Sequence, residues 1–199
     1  MPLVYESPPA NGALRQGEIL KNVFDHRSVS PAVRLPENKV EYHQYSHEYV
    51  IVLTNDCDLD LEYRERNNIP GPGENGRIPQ YRLLAYLLLC DVYAEETLKA
   101  ERRGQQGSAA GMNSQEWRRV TQNQDERYHC FEEAEIVNNS GAKLPRFALD
   151  FLKTCSIPPT GIYEGIKSQE IERVALVPQP YLQQLTHRFY GFLSRVALP

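Results

Sequence analysis

The chain has 199 residues, a mass of 22.9 kDa and a formal net charge of −4. Its composition, 41% hydrophobic and 24% charged, is that of a folded globular protein and excludes a disordered chain, a collagen and a coiled coil. The acidic balance argues against strong non-specific binding to nucleic acid, which requires a basic surface. Four cysteines without a CxxC pair do not form a secreted disulfide framework, and the N-terminus lacks a secretion signal. We therefore expect a cytoplasmic protein.

The first half of the chain predicts three strands and a short helix. Residues 1–15 are rich in Pro, Asn and Gly and predict a flexible N-terminal arm. A short strand is expected at 19–24, and a second strand at 49–54, where a β-branched and aromatic run without alternation indicates burial on both faces. A helix is predicted over 59–66, and the leucine-rich segment 83–93 favours a third strand.

The second half predicts further strands and the clearest helix of the chain. Residues 95–103 predict a short charged helix, and Asn113 with Glu116 is the capping pattern of another helix. Extended segments are expected at 127–131 and 147–152. A single apolar stripe of helical period predicts an amphipathic C-terminal helix. That stripe consists of Leu182, Leu185, Phe189, Phe192, Leu193 and Val196.

These elements predict the α+β class, with a small SH3-like or barrel-like, mostly antiparallel sheet closed by the C-terminal helix. We expect residues 16–199 to form a single domain. Two segments dense in glycine, 67–80 and 104–111, predict mobile loops on its surface. A loop of this length is typical of a functional or an unstructured segment.

An acidic turn follows the 49–54 strand and offers the first candidate site. Asp56, Asp58 and Asp60 alternate there, and carboxylate oxygens are ligands for Mg²⁺ or Ca²⁺. The alternative is that Asp58 caps the following helix, because acidic side chains stabilise a helix N-terminus. Both interpretations stay open. No organic cofactor is expected, so a divalent metal is the one cofactor that the sequence suggests.

Cys57 lies within the same turn and is a candidate nucleophile. A cysteine at a helix N-terminus can have a lowered pKa, whereas the flanking aspartates act in the opposite direction. A catalytic thiol would also need a base, for which the sequence offers His129, His47 and His43. The alternative is a small structural thiol. Zinc would require ligands from Cys57, Cys90, His129 and Cys130, of which only the last two are neighbours.

Asp150 is a further candidate, because it lies in an apolar strand and a buried carboxylate needs a partner. Arg146, Arg188 and Arg195 are the expected partners. Structural ion pairing is one interpretation. The other is that Asp150 joins Asp56 in a hydrolase site.

Two arginine pairs, 102–103 and 118–119, lie near Trp117. They could contact phosphates while Trp117 stacks on a base, or Trp117 could anchor its helix to the core. Expected partners are therefore nucleic acid or protein, and no membrane.

Two segments resemble the PemK/MazF group of toxin ribonucleases. Residues 17–19 (GEI) match the pattern of that family's first strand, and residues 50–56 match a later strand that ends in a polar turn. The resemblance implies an SH3-like barrel and metal-independent RNA cleavage. Residues 47–48 (HE) stand where the family has Arg-Pro, and no residue matches its later catalytic threonine.

The chain also resembles an uncharacterised bacterial protein family. The shared segments are the start at 16–19 (QGEI), the turn at 54–59 (TNDCDL) and the end at 195–199 (RVALP). This second resemblance spans the chain and implies no known activity.

From these observations we expect a bacterial binding or accessory module with a cleft beside the turn from Thr54 to Asp60. One alternative is a nuclease or other hydrolase, PemK/MazF-like or assisted by a divalent metal, that uses Asp56, Asp58 and Asp150. The other is a thiol enzyme built on Cys57 with His129 as a candidate base.

Overall fold

The structure is a computed structural model that describes residues 2–28, 42–70, 83–105, 112–137 and 141–195. The predicted loops at 67–80 and 104–111 fall largely outside these ranges, since 71–82 and 106–111 are not described.

In the described parts of the chain, eight strands make up two antiparallel sheets. The strands are β1 (Glu18–Ser28), β2 (Tyr42–Val52), β3 (Leu87–Ala94), β4 (Tyr128–Phe131), β5 (Ala134–Glu135), β6 (Lys143–Leu144), β7 (Phe147–Ile157) and β8 (Glu172–Leu176). The large sheet has the order β4-β7-β3-β2-β1-β8, and β5 pairs with β6 in a small one. Strands β4 and β8 are thus the two ends of the large sheet.

Among the described residues, five helices accompany the sheets. They are α1 (Asp56–Arg66), α2 (Glu95–Gln105), α3 (Ser114–Thr121), α4 (Pro159–Lys167) and α5 (Tyr181–Leu193). The predicted α+β class, with a mostly antiparallel sheet and a C-terminal helix, is confirmed. The predicted capping box of Asn113 and Glu116 is also present at the start of α3. Within the described ranges, none of the helices is long and apolar enough to cross a membrane.

Hydrophobic residues cover both faces of the large sheet. On one face, α5 packs Leu185 and Phe189 against Phe151 and its neighbours. On the other face, Leu59 of α1 and Ile162 of α4 pack in a second cluster. Strand β2 runs between them, and residues 50–52 are fully buried as its unbroken apolar pattern predicted.

Several element boundaries differ from the sequence-based expectations. Helix α1 begins at Asp56 with Asn55 as its N-cap, so Asp58 is not the capping residue. Strands β1 and β2 extend beyond the predicted segments because they pair along most of their length. Helix α4 and strand β8 were not predicted.

The N-terminal arm is held by backbone hydrogen bonds. The N–H of Tyr5 donates to the carbonyl of Glu135 at 2.9 Å, and the N–H of Val137 donates to the carbonyl of Tyr5 at 2.8 Å. Glu6 forms an antiparallel bridge with Leu176 at the edge of the large sheet. The side chain of Tyr5 is completely buried. The arm therefore connects the small sheet to strand β8.

Candidate functional site

The predicted acidic turn is a point of attachment between α1 and the N-terminal arm. Arg15 donates to both carboxylate oxygens of Asp56 at 3.0 Å, and the backbone N–H of Gln16 donates to one of them at 2.7 Å. Partial burial alone would raise the pKa of Asp56, but these donors outweigh it, and the pKa lies below its ordinary value. The carboxylate is therefore already neutralised by the protein itself.

The neighbouring residues of the turn have separate surroundings. Asp60 forms an ion pair with Arg64 at 2.9 Å along the surface of α1, and the thiol of Cys57 is exposed. Within the described residues, one group of three His, Cys, Asp or Glu side chains has ligand atoms close together, and it does not include Asp56, Asp58 or Asp60. The metal and catalytic roles of the turn stay predictions.

Asp150 is buried, as expected, but its partner is not one of the predicted arginines. Arg127, just before β4, donates to both carboxylate oxygens, and its Nε lies 2.6 Å from Oδ1. Arg146 pairs instead with Glu132, and Arg195 with Glu126. Asp150 was expected to pair with an arginine of the C-terminal helix. Arg127 takes that place, and it directly precedes Tyr128, the residue of β4 that is paired with Asp150.

The candidate zinc ligands Cys57, Cys90, His129 and Cys130 are distributed over different parts of the fold. Cys90 belongs to the cluster under α5, and Cys130 to the cluster formed with α2 and α3. Burial is the main cause that raises the pKa of Cys130 to about 12 and the pKa of Cys90 well above its ordinary value. Both thiols therefore stay protonated at neutral pH.

Trp117 has the structural environment of a helix anchor. The ammonium group of Lys99 lies 4.5 Å from the centre of its ring, and the ring packs beside the cluster that contains Leu98 and Val120. This cation–π contact occupies a face that a nucleic-acid base would need. The side chains of the 102–103 pair lie outside the described residues.

A cleft runs along helix α5, and we name it the α5 cleft. Its inner part, of about 440 Å³, and its outer part, of about 800 Å³, share Pro180, Gln183 and His187. The inner part is further lined by Asn123, His129, Gln184 and Arg188, and the outer part by Gln16, Gln179, Leu182, Thr186 and Tyr190.

The outer part of the α5 cleft borders the predicted turn. The hydroxyl of Tyr190 lies 3.4 Å from Oδ1 of Asn55, and the amide of Gln16 donates to the carbonyl of Leu53 at 3.2 Å. Both cleft residues thus contact the segment between β2 and α1. The outer part of the cleft therefore lies beside this turn, and the binding role that the sequence suggested for a cleft there stays a prediction.

Arg188 forms part of the wall of the inner cleft and is held by backbone carbonyl groups. Its guanidinium donates to the carbonyls of Asn123 and Asp125 at 2.6 Å and of Tyr128 at 2.8 Å. Its Nε is buried and has no hydrogen-bond partner. Partial burial lowers the pKa of Arg188 from its ordinary value, while Asp125 and Glu126 oppose that shift. The guanidinium charge is thus stabilised by dipoles and by distant carboxylates.

His129 lies beside Arg188 and is almost completely buried. Burial is the first cause that lowers its pKa to about 3, and the charge of Arg188 is the second. The ring is therefore neutral at physiological pH, and its Nδ1 has no hydrogen-bond partner. It packs edge-on against Phe131 with ring centres 4.7 Å apart. The sequence offered His129 as a candidate base. Its low pKa makes the ring a weak base, and the catalytic role stays a prediction.

The α5 cleft has the chemistry of a binding site. Its described lining contains four glutamines and one asparagine, which can donate and accept hydrogen bonds, together with one arginine and no carboxylate. Little in the sequence indicated this site, since Gln183 and Gln184 are ordinary polar residues of an amphipathic helix. Compared with known proteins, the chain matches no family model, and no curated protein is significantly similar to it.

Proposed function

We propose that the protein is a binding module whose α5 cleft holds a small polar ligand that carries an anionic group. The observation that carries the proposal is the environment of Arg188, whose three hydrogen bonds all go to uncharged backbone carbonyls. No carboxylate lines the described walls of the cleft. An anion in the cleft would supply the missing negative charge.

Electrostatics favour an anion over a cation. The nearest acidic residues that act on Arg188 are Asp125 and Glu126, and Glu126 is itself paired with Arg195. The cleft therefore has a positive wall, and charges in a partly desolvated cleft interact more strongly than charges in water. His129 is neutral and adds no second positive charge that would have to be desolvated.

The amide side chains favour a ligand with several polar groups. Gln183 belongs to both parts of the cleft and can bond a ligand that extends from one part to the other. The volumes of about 440 and 800 Å³ lie in the range of known small-molecule sites. A phosphorylated sugar, a mononucleotide or a dicarboxylate has the required size and charge.

The enzymatic alternatives receive less support from the contacts. The carboxylates of Asp56 and Asp150 are each bonded by an arginine, which competes with a metal ion or a reacting group. The thiol of Cys57 is exposed, whereas its candidate base His129 is almost completely buried. A nuclease or thiol enzyme stays a prediction, as does the resemblance to PemK/MazF ribonucleases.

The proposal can be tested with mononucleotides, sugar phosphates and dicarboxylates as probes. We expect at least one of these anions to raise the melting temperature and to shift NMR signals of α5 and of residues 123–129. The substitution Gln183→Glu places a negative charge in the cleft at an exposed position. It should weaken anion binding roughly tenfold, or by about 1.4 kcal/mol.

The matched control is Gln115→Glu, which makes the same change on the exposed surface of α3. It should leave anion binding unchanged. The proposal is wrong if none of the three ligand classes binds, or if both substitutions weaken binding equally.

A further inference from the structure

Three neighbouring strands of the large sheet bring His47, Asp91 and Cys155 together. His47 lies on β2, Asp91 on β3 and Cys155 on β7, and these strands are adjacent. One ligand atom of each residue lies within 4.8 Å of the other two. The three side chains do not line either part of the α5 cleft. This cluster is therefore a separate feature of the fold.

A strand irregularity positions the central residue of the cluster. The register between β3 and β7 shifts between Cys90 and Val92, so Asp91 lies at a bulge. Bulges redirect side chains and are frequent beside functional sites. The carboxylate accepts a hydrogen bond from the hydroxyl of Tyr93 at 3.0 Å, which leaves its other oxygen for His47.

The imidazole of His47 is enclosed by protein and incompletely bonded. Its Nδ1 lies 2.5 Å from Oδ1 of Asp91, and its side chain is only 9% exposed. Its Nε2 is buried and has no hydrogen-bond partner. Buried polar atoms are normally bonded, so the imidazole is incompletely satisfied on the side that faces away from Asp91.

The donor atoms select the class of ligand. A nitrogen, a carboxylate oxygen and a thiolate sulfur together suit Zn²⁺ or a similar transition metal, whereas Mg²⁺ and Ca²⁺ prefer oxygen alone. In a tetrahedral zinc site the ligand atoms are about 3.3–3.8 Å apart. The 2.5 Å contact between His47 and Asp91 therefore has to lengthen, while Cys155, which lies within 4.8 Å of both, is already near the required distance. Three protein ligands leave a fourth position for water.

We propose that His47, Asp91 and Cys155 bind one divalent transition-metal ion such as Zn²⁺, and that the ion cross-links β2, β3 and β7. Tyr93 is not itself a ligand, but its hydroxyl orients Asp91 through a hydrogen bond. On binding, the thiol of Cys155 loses its proton to solvent and the sulfur lone pair forms the bond to the metal. The metal takes the place of the hydrogen bond between Nδ1 of His47 and Oδ1 of Asp91, and the neutral imidazole then carries its proton on Nε2.

Catalysis by Cys155 is the competing interpretation, and its burial argues against it. The residue is 6% exposed and packs in the cluster on the α1 and α4 face of the sheet. A nucleophile has to be accessible to a substrate, whereas a metal ligand can be buried within the protein. The inference does not depend on the function proposed for the α5 cleft.

Titration of the chelator-treated protein with Co²⁺ and then Zn²⁺ tests the site. We expect about one equivalent to bind, a thiolate-to-cobalt charge-transfer band to appear, and Zn²⁺ to displace the cobalt. Cys155→Ala should abolish the band and weaken binding at least a hundredfold. Tyr93→Phe should weaken it by roughly tenfold to a hundredfold, because it removes an outer-shell bond.

The matched control is Cys130→Ala, since Cys130 is also a buried strand cysteine but lies in another cluster. This variant should keep the band, and far-UV circular dichroism should show that both variants are folded. If Cys155→Ala does not fold, Asp91→Asn replaces it and should weaken binding at least tenfold. Absence of stoichiometric binding, a band that persists in folded Cys155→Ala, or unchanged affinity in Asp91→Asn would overturn the proposal.

Discussion

Arg173 and Arg188 are both directed into the protein, but they meet different partners. Arg173 bonds both carboxylate oxygens of the fully buried Glu18 and also donates to the carbonyls of Gly12 and Ala13. Arg188 bonds three carbonyls and no carboxylate of the described residues, and its Nε has no partner. The first arginine is neutralised within the protein. The second keeps a charge that the protein does not directly neutralise.

This difference separates a structural charge from one that can bind a ligand. Burial of a charge is costly unless an opposite charge or several hydrogen bonds offset it. At Arg173 the bonds to Glu18 and to two carbonyls offset this cost, and they also connect β1, β8 and the N-terminal arm. At Arg188 the cost is offset only in part, and the residue forms the wall of a cleft. Incomplete pairing of this kind indicated the binding site more clearly than any sequence motif did.

The largest effect on stability is expected when the ion pair between Glu18 and Arg173 is broken. Arg173→Met removes the partner of Glu18 and leaves a carboxylate buried without a countercharge. The free energy of unfolding should fall by about 3–5 kcal/mol. Urea denaturation followed by circular dichroism measures this change.

The double variant Glu18→Leu with Arg173→Met removes both charges and is the control. It should recover part of the lost stability, because a buried pair can be replaced by apolar side chains at little cost. A loss of less than about 1 kcal/mol in the single variant would contradict a structural role for this pair.

A smaller effect, dependent on pH, is expected at His129. Its pKa is about 3 in the folded protein and about 6.5 in the unfolded chain. Between these values the unfolded state binds a proton that the folded state does not, so stability falls as the pH falls. The expected slope is about 1.4 kcal/mol per pH unit, or about 2 kcal/mol between neutral pH and pH 5.

His129→Leu removes the titrating group, and the difference between its slope and that of the wild type measures the contribution of His129. The same substitution at the exposed His187 serves as control. Equal slopes for the wild type and His129→Leu would show that the ring is not held in its neutral form by burial.

The smallest effect is expected at Arg15. Its side chain is 51% exposed and that of its partner Asp56 is 41% exposed, so water and salt screen this pair. Arg15→Ala should cost less than about 1 kcal/mol of stability, and less still at high salt. Thermal unfolding at two ionic strengths is the measurement. A loss as large as that expected for Arg173→Met would mean that exposure does not set the strength of these pairs.

Elements with a strong local signal were predictable from the sequence. The apolar run of β2, the capping box of α3 and the apolar stripe of α5 each require only a few neighbouring residues. Helix α4 lacked such a signal, because its glycines disfavour a helix. Gly165 is nevertheless needed there, since a Cβ at this position would lie 2.5 Å from a side-chain atom of Ile171. Tertiary packing outweighs local propensity at this helix.

The candidate sites were less predictable because they depend on strand register. His129 was singled out from its residue type, but its neutral state follows from burial next to Arg188. Asp91 was not recognised, since its contact with His47 joins positions 44 residues apart in the chain. A shift of one residue in either strand would turn these side chains to opposite faces. The register of these strands is seen only in the folded sheet, so the contact between His47 and Asp91 could not be predicted from the sequence.

The position of β1 has a consequence for synthesis on the ribosome. This strand is made first, yet one of its two neighbours in the sheet is β8, which begins at Glu172. The nascent chain can form the β1–β2 hairpin early, but one edge of β1 has to wait until β8 has been synthesised and has left the ribosome. Unpaired edges of this kind recruit other chains, so the nascent chain is exposed to misassembly until β8 has paired with β1.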